Sequence, residues 1–236
     1  MLEDSFDYFD YLADMGFQTP LILLVLVVLE AVLSADNAIA LASIAQGLPD
    51  AKMQRKALNV GLIAAYVLRI VLILTATWVI QFWQFELLGA MYLLWLVFNY
   101  FVNDEDESEQ PKKHLKFSSF WQIIPTIAIT DLAFSLDSVT TAIAIADETW
   151  LIIAGGTIGV ISLRFLAELF IRWLEEYTYL EDAGFITVGF VGLRLFLKAL
   201  FPGLIIPEWV TIAIVAVFFT WGFSKREPIE SSGGDG

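Results

Sequence analysis

Apolar residues fill the chain in blocks of about twenty or more, and polar residues gather between the blocks rather than alternating within them. A block of that length matches the ~20 residues an α-helix needs to cross ~30 Å of hydrocarbon. The pattern predicts an all-α membrane protein with seven transmembrane helices, at 20–46, 57–80, 85–102, 121–146, 150–173, 183–201 and 207–223. Pro20 suits a first helical turn, where its missing N–H is not needed. Residues 1–19 form an acidic N-terminal segment without Lys or Arg. They lack the basic stretch of a cleavable signal peptide and read as mature chain. Residues 103–120 form a charged linker, and the polar tail 224–236 is expected to be disordered.

Charge orients these spans. Lys52, Arg55, Lys56, Lys112, Lys113, Lys116, Arg172, Lys225 and Arg226 all fall on one side of a seven-span chain, with Lys198 alone near the other. Lys and Arg are retained in the cytoplasm, so the N-terminus is expected outside and the C-terminus inside. Trp78, Trp83, Trp121, Trp150, Trp173, Trp209 and Trp221 lie near span ends, where an interfacial aromatic belt belongs.

Composition narrows the chemistry. The chain is 58% hydrophobic, above the 45–50% usual for soluble domains, so much of its surface must face lipid. It has no Cys, which excludes disulfides and thiolate metal sites, and its one His, His114, lies in the linker. A formal charge of −14 opposes nucleic-acid binding and favours cations.

Two polar segments interrupt this hydrophobicity. "EAVLSADNAIA" begins at Glu30, and "DLAFSLDSVTTAIA" begins 101 residues later at Asp131. Superimposing them places Glu30 on Asp131, Ser34 on Ser135, Asp36 on Asp137 and Asn37 on Ser138. The following spans also match, with Gly61 on Gly156 and Arg69 on Arg164, and more weakly Gly89 on Gly189. Each unit, 20–102 and 121–201, then holds three spans. Three is odd, so the second unit enters the membrane inverted, with the seventh helix as an addition. Inverted repeats are the arrangement in which transporter sites form near the midplane.

Eight ionisable residues fall well inside spans: Glu30, Asp36, Arg69, Asp131, Asp137, Arg164, Glu168 and Arg194. Facing lipid, each would cost roughly 2.5–3.5 kcal/mol even on a lenient scale. They are therefore expected to face one another, water or an ion. Glu30, Ser34 and Asn37 share a helix face, as do Asp131, Ser135 and Ser138. Asp36 and Asp137 point about 120° away from those faces. Either the helix loosens around "LSADN", or the acids serve successive positions along a path. Ser34 and Ser135 are supporting polar groups that can also bond their own backbone. Arg69, Arg164 and Arg194 are expected as counter-ions, and Glu168 sits four residues after Arg164 as its structural partner.

The donors on offer are all hard oxygen: Asp36, Asn37, Asp137, Ser138, Glu30 and Asp131. Such a set suits Mg²⁺, Ca²⁺ or Mn²⁺ and disfavours Zn²⁺ and Cu⁺. Four carboxylates exceed the charge of one divalent ion, so some are expected to be protonated or paired with Arg, which makes proton exchange chemically reasonable.

At these residues the sequence resembles the TerC family of integral membrane proteins. "EAVLSADNAIA" and "TDLAFSLDSVTTAIA" carry the resemblance, supported by "GLIAAYVLRI" and "GTIGVISLRF", over roughly residues 17–224. It implies an architecture similar to LysE-type transporters, tellurite resistance by name, and Mn²⁺ export and manganese homeostasis by function. By the same resemblance Asp36, Asn37, Asp137 and Ser138 take the family's motif positions, flanked by Glu30 and Asp131; Asp36 and Asp137 are expected as direct ligands, Asn37 and Ser138 as completing the shell, and Glu30 and Asp131 as outer ligands or proton acceptors.

The expectation is thus a non-enzymatic transporter exporting divalent cations, Mn²⁺ first, as an antiporter that exchanges protons, with no tightly bound cofactor. Its setting is a bacterial plasma membrane or a thylakoid membrane. Its partners are the lipid bilayer and the cation, and a homo-oligomer or membrane-assembly partners are compatible with it. A chloroplast relative linked to thylakoid biogenesis keeps open a competing role in assembling or metallating membrane proteins. An intramembrane aspartyl protease is disfavoured, because no "GxGD" follows the paired aspartates.

Overall fold

The computed structural model describes residues 19–28, 30, 34, 37–102, 119–146, 148–201, 203 and 207–226. Among them the structure is helical, without a named strand. The helices are α1 (Thr19–Val28), α2 (Asn37–Gln46), α3 (Ala51–Val79), α4 (Trp83–Val102), α5 (Phe120–Ile145), α6 (Thr149–Glu176), α7 (Leu180–Leu200) and α8 (Glu208–Gly222). The N-terminal acidic segment up to residue 18, the linker 103–118 with His114, the tail from residue 227, and Asp36 lie outside the described residues.

Five helices, α3 to α7, are long and apolar enough to cross a membrane. The expected first span contains two shorter apolar helices, α1 and α2, with Glu30 and Ser34 also helical between them. The expected seventh, α8, has 15 residues. At 1.5 Å per residue that is about 22 Å, short of a full crossing.

Several helices run past the apolar windows that predicted them. α3 begins six residues before the expected Ala57, and α6 ends three residues beyond the expected Trp173. The hydrophobic pattern reports only the stretch inside lipid, whereas a helix persists through the interface until something caps it. Asp50 does this for α3, its Oδ1 accepting from the Lys52 amide at 2.9 Å. Ser119 does the same for α5 through the Trp121 amide at 3.3 Å.

α3 packs most extensively on α5, and α4 on α7. Gly61 of α3 makes the first approach possible, since a Cβ there would stand 2.8 Å from Ile127 Cβ. On the other side of the molecule, Leu26 of α1 presses in the same way on Gly155 of α6. Leu26 lies 101 residues before Ile127, the spacing of the two polar segments.

Buried side chains fall into an apolar cluster toward the basic helix ends, including Ala57, Leu58, Leu62, Ile127 and Leu163. A second cluster, with Leu26, Leu72, Ile73, Val139 and Ile152, lies toward the other ends. Along α3 the first cluster ends at Leu62 and the second begins at Leu72; along α5 they are Ile127 and Val139. Arg69 and Asp131 occupy the layer between. Large apolar side chains such as Ile63, Leu74, Phe98 and Phe165 cover the outside, as a lipid-facing surface requires.

Candidate functional site

A single buried arginine organises the interior. Arg69 is 1% exposed on α3 and meets acids from two other directions. Its Nη1 donates to Glu30 Oε1, and its Nη2 lies 3.2 Å from Asp131 Oδ1 and 3.4 Å from Oδ2. Glu30 and Asp131 are the equivalent positions of the two polar segments, and they are brought onto one guanidinium. Asp131 is fully buried. A carboxylate at that depth is tolerated because its charge is compensated and its lone pairs are used. Ser135 contributes, donating to the Asp131 backbone oxygen at 2.7 Å and reaching Oδ2 at 3.4 Å.

Space at this point is tight but present. Gly159 of α6 lets Glu30 lie against the helix, since a Cβ at that position would overlap Glu30 Cγ. Beside the cluster is a cavity of about 20 Å³ lined by Glu30, Arg69, Ser138 and apolar residues of α1, α3, α5 and α6. That is room for roughly one water. Arg69 Nε and Ser34 Oγ are both buried without a hydrogen-bond partner among the described residues. The cluster sets two acidic side chains against one guanidinium.

The structure divides the oxygen donors expected as a single set. Asp137, six residues after Asp131, faces elsewhere: Arg194 Nη1 is 3.1 Å from its Oδ2 and Lys198 Nζ 2.8 Å from its Oδ1. Lys198 also reaches Glu86 Oε1 at 3.4 Å, making a balanced group of two acids and two bases. α5 is helical without interruption from Phe120 to Ile145, so no loosening around Asp131–Ser138 redirects the acids. The hydroxyls there bond within the helix: Ser135 as above, and Ser138 weakly to the Ser135 oxygen at 3.5 Å. In this half, the two acids meet different partners at separate places along one helix. Asn37 is buried at the start of α2, and Asp36 lies outside the described residues.

The arginines also separate. Arg69 and Arg194 contact motif acids, whereas Arg164 donates to Glu168 Oε2 at 2.7 Å and to Asn59 Oδ1. Lys198 was not foreseen as a partner of Asp137, nor Glu86 as the second acid on Lys198. The sequence did carry a signal, because Lys198 was the lone base on the acidic side and follows Arg194 by one helical turn. Among the described residues no three of His, Cys, Asp and Glu converge to hold a metal ion. In this arrangement Arg69 fills the place between Glu30 and Asp131 that a cation would need.

A family model matches the chain over its whole membrane region, and individual proteins match about three quarters of it. The integral membrane protein TerC family matches residues 16–227. The membrane protein YceF of Bacillus subtilis is 37% identical over 72% of this chain and 68% of its own length. YkoY of the same organism is 35% identical over 76% of this chain and 60% of its own. The chloroplast thylakoid membrane protein TERC of Arabidopsis thaliana is 25% identical over 72% of this chain and 51% of its own. No solved structure matches. An all-helical chain with several spanning helices and acids buried at repeated positions is what these matches cover: it belongs to the TerC family of multi-pass integral membrane proteins.

Proposed function

We propose that this protein transports divalent cations, Mn²⁺ foremost, out of the cytoplasm, with Glu30 and Asp131 as the central pair of ligands. The observation that carries the reading is their meeting on Arg69 in a buried, water-sized space. Two acids from separate helices and equivalent sequence positions share one counter-charge, and intramembrane acids so placed mark ion pathways. Ile127 packs on Gly61 and Leu26 on Gly155, one residue from the Gly156 that matches Gly61, and this near-equivalence supports the inverted repeat on which alternating access would run.

The charges suggest an exchange. A divalent cation between Glu30 and Asp131 neutralises both, and Arg69 must then withdraw, since like charges in a small desolvated space repel strongly. When the cation leaves, Arg69 returns and compensates one carboxylate, and a proton cancels the other. Net export of one cation would thus return at least one proton. Ser135 and Ser138 offer hydroxyl oxygens on the same face, and the oxygen-only set is the basis for preferring Mg²⁺, Ca²⁺ or Mn²⁺ over softer ions. Mn²⁺ among these rests on the resemblance to the family.

Purified protein in vesicles preloaded with Mn²⁺, with an internal pH reporter, tests the reading. Export with internal acidification, lost in Asp131→Asn and Glu30→Gln, is the expected result. Wild-type protein that moves no divalent cation, or an Asp131→Asn variant that exports normally, sinks it.

A further inference from the structure

A groove of about 560 Å³ runs between α3 and α6 on the outer surface, away from the Arg69 cluster. Its wall is apolar, with Leu62, Ile63, Val160, Ile161 and Phe165 along it. Tyr66 and Thr157 satisfy each other across it at 2.8 Å, so their hydroxyls ask nothing of an occupant. Toward the basic helix ends the lining changes to Asn59 and Arg164.

Arg164 belongs to a charged group at the mouth of the groove. Glu168 accepts from Arg164 at 2.7 Å and also faces Arg55 and Arg172, each at 3.8 Å. Three guanidiniums surround one carboxylate, so the group carries two positive charges beyond what Glu168 compensates. The side chains of Arg55 and Arg172 are 53% and 63% exposed, leaving their donors presented outward. Arg55 lies in the first turns of α3 and Arg172 in the last turns of α6, at the level where headgroups meet helix ends.

A second surface groove, between α3, α4 and α5, provides the contrast. It measures about 330 Å³ and is lined by residues such as Leu68, Val71, Leu88 and Leu136, with no charged side chain. Hydrocarbon of any kind can cover it. The α3–α6 groove instead joins an acyl-sized apolar channel to a cationic mouth, and basic pockets between transmembrane helices select anionic headgroups.

We propose that the α3–α6 groove is a binding site for one anionic glycerophospholipid. An acyl chain lies along Ile63, Val160 and Phe165, and the phosphodiester is held by Arg55 and Arg172. Arg164 reaches up from the groove and fixes Glu168 between the two outer arginines, so that their spacing is set before lipid arrives. Planar guanidiniums suit this, since each can give a phosphate two parallel hydrogen bonds. The occupant would tie α3 to α6, the second spans of the two proposed repeats. The site stands independently of the transport reading.

The full chain in lipid nanodiscs tests it, with phosphatidylglycerol compared against phosphatidylcholine by native mass spectrometry and thermal unfolding. One phosphatidylglycerol retained per chain, and an unfolding temperature raised by several degrees over phosphatidylcholine alone, are expected. Arg55→Gln with Arg172→Gln should lower retention at least tenfold, and so should Val160→Phe, which fills the groove and leaves the charges intact. Equal retention of the two lipids by the wild type overturns the proposal, and this comparison needs no variant to fold. Undiminished retention in Val160→Phe overturns it as well, because it would reduce the effect to surface attraction.

Discussion

Arg69 and Asp131 face each other from α3 and α5 with Nη2 3.2 Å from Oδ1, and both side chains are shut off from solvent. Glu30 completes the contact from the first polar segment. Burying three charges together is costly, and such a group stabilises a fold only while its members remain paired.

Arg69→Gln leaves two carboxylates buried without compensation, and breaking a pair of this kind typically costs about 3–5 kcal/mol. The variant is expected to unfold at a lower temperature than wild type. Added Mn²⁺ should raise that temperature by more than it does in the wild type, because the cation no longer competes with a tethered guanidinium. Thermal unfolding with and without Mn²⁺ decides this; an equal response in both proteins counts against competition.

Gly159→Ala forces a methyl into Glu30, while Gly156→Ala places one 3.7 Å from the Arg69 and Ile73 side chains, an ordinary contact. The first should destabilise by roughly 1–3 kcal/mol, as overpacking does, and lower cation affinity by displacing Glu30. The second should be close to neutral. Denaturation and Mn²⁺ binding of the pair provide the comparison, and similar behaviour of both variants would refute the close approach.

Asp137 and Lys198 should show energetic coupling. Asp137→Asn removes the acid that both Arg194 and Lys198 contact, and Lys198→Gln removes the base that both Asp137 and Glu86 contact. The double variant restores balance and should be less damaged than the two single losses predict, with a coupling of about 0.5–3 kcal/mol. These groups are partly exposed, so the lower part of that range is expected. A double-mutant cycle on unfolding measures it, and additivity would exclude the coupling.

Transport should separate the two acids of α5. Asp131→Asn is expected to lose equilibrium Mn²⁺ binding by at least tenfold. Asp137→Asn is expected to keep binding within a few-fold and slow efflux, because Asp137 stands apart from the Glu30–Arg69 cluster. Isotope binding and efflux on the same preparations test this, and equal loss of binding would place both acids at one site.

The sequence announced the long helices and the buried acids for different reasons. Lipid imposes a length and an apolarity that any window of residues reveals, so α3 to α7 were legible to within a few residues, except where polar caps such as Asp50 prolong them. Glu30 and Asp131 stood out as a pair because both segments set an acid four residues before a Ser and six before an Asp, and the structure brings the two acids onto Arg69. Which base each acid meets was not legible. Arg69 and Arg164 occupy matching positions, yet one lies in the interior and the other pairs with Glu168 near the surface. That difference comes from how α3 and α6 are seated, and spacing along one chain carries no record of it. The same limit hid Gly159, whose importance lies only in what presses against it.

The unbroken course of α5 has a mechanical consequence. Six residues set Asp131 and Asp137 about 9 Å apart along the axis, and about 120° apart in rotation from the line through the Asp131 face. A continuous helix holds both offsets fixed. Any screw-like displacement that draws Asp131 off Arg69 must turn Asp137 against Arg194 and Lys198 in the same stroke. The helix then behaves as a crankshaft: what happens at Asp131 is reported, without any signal travelling through side chains, to the ion pairs nearer its end.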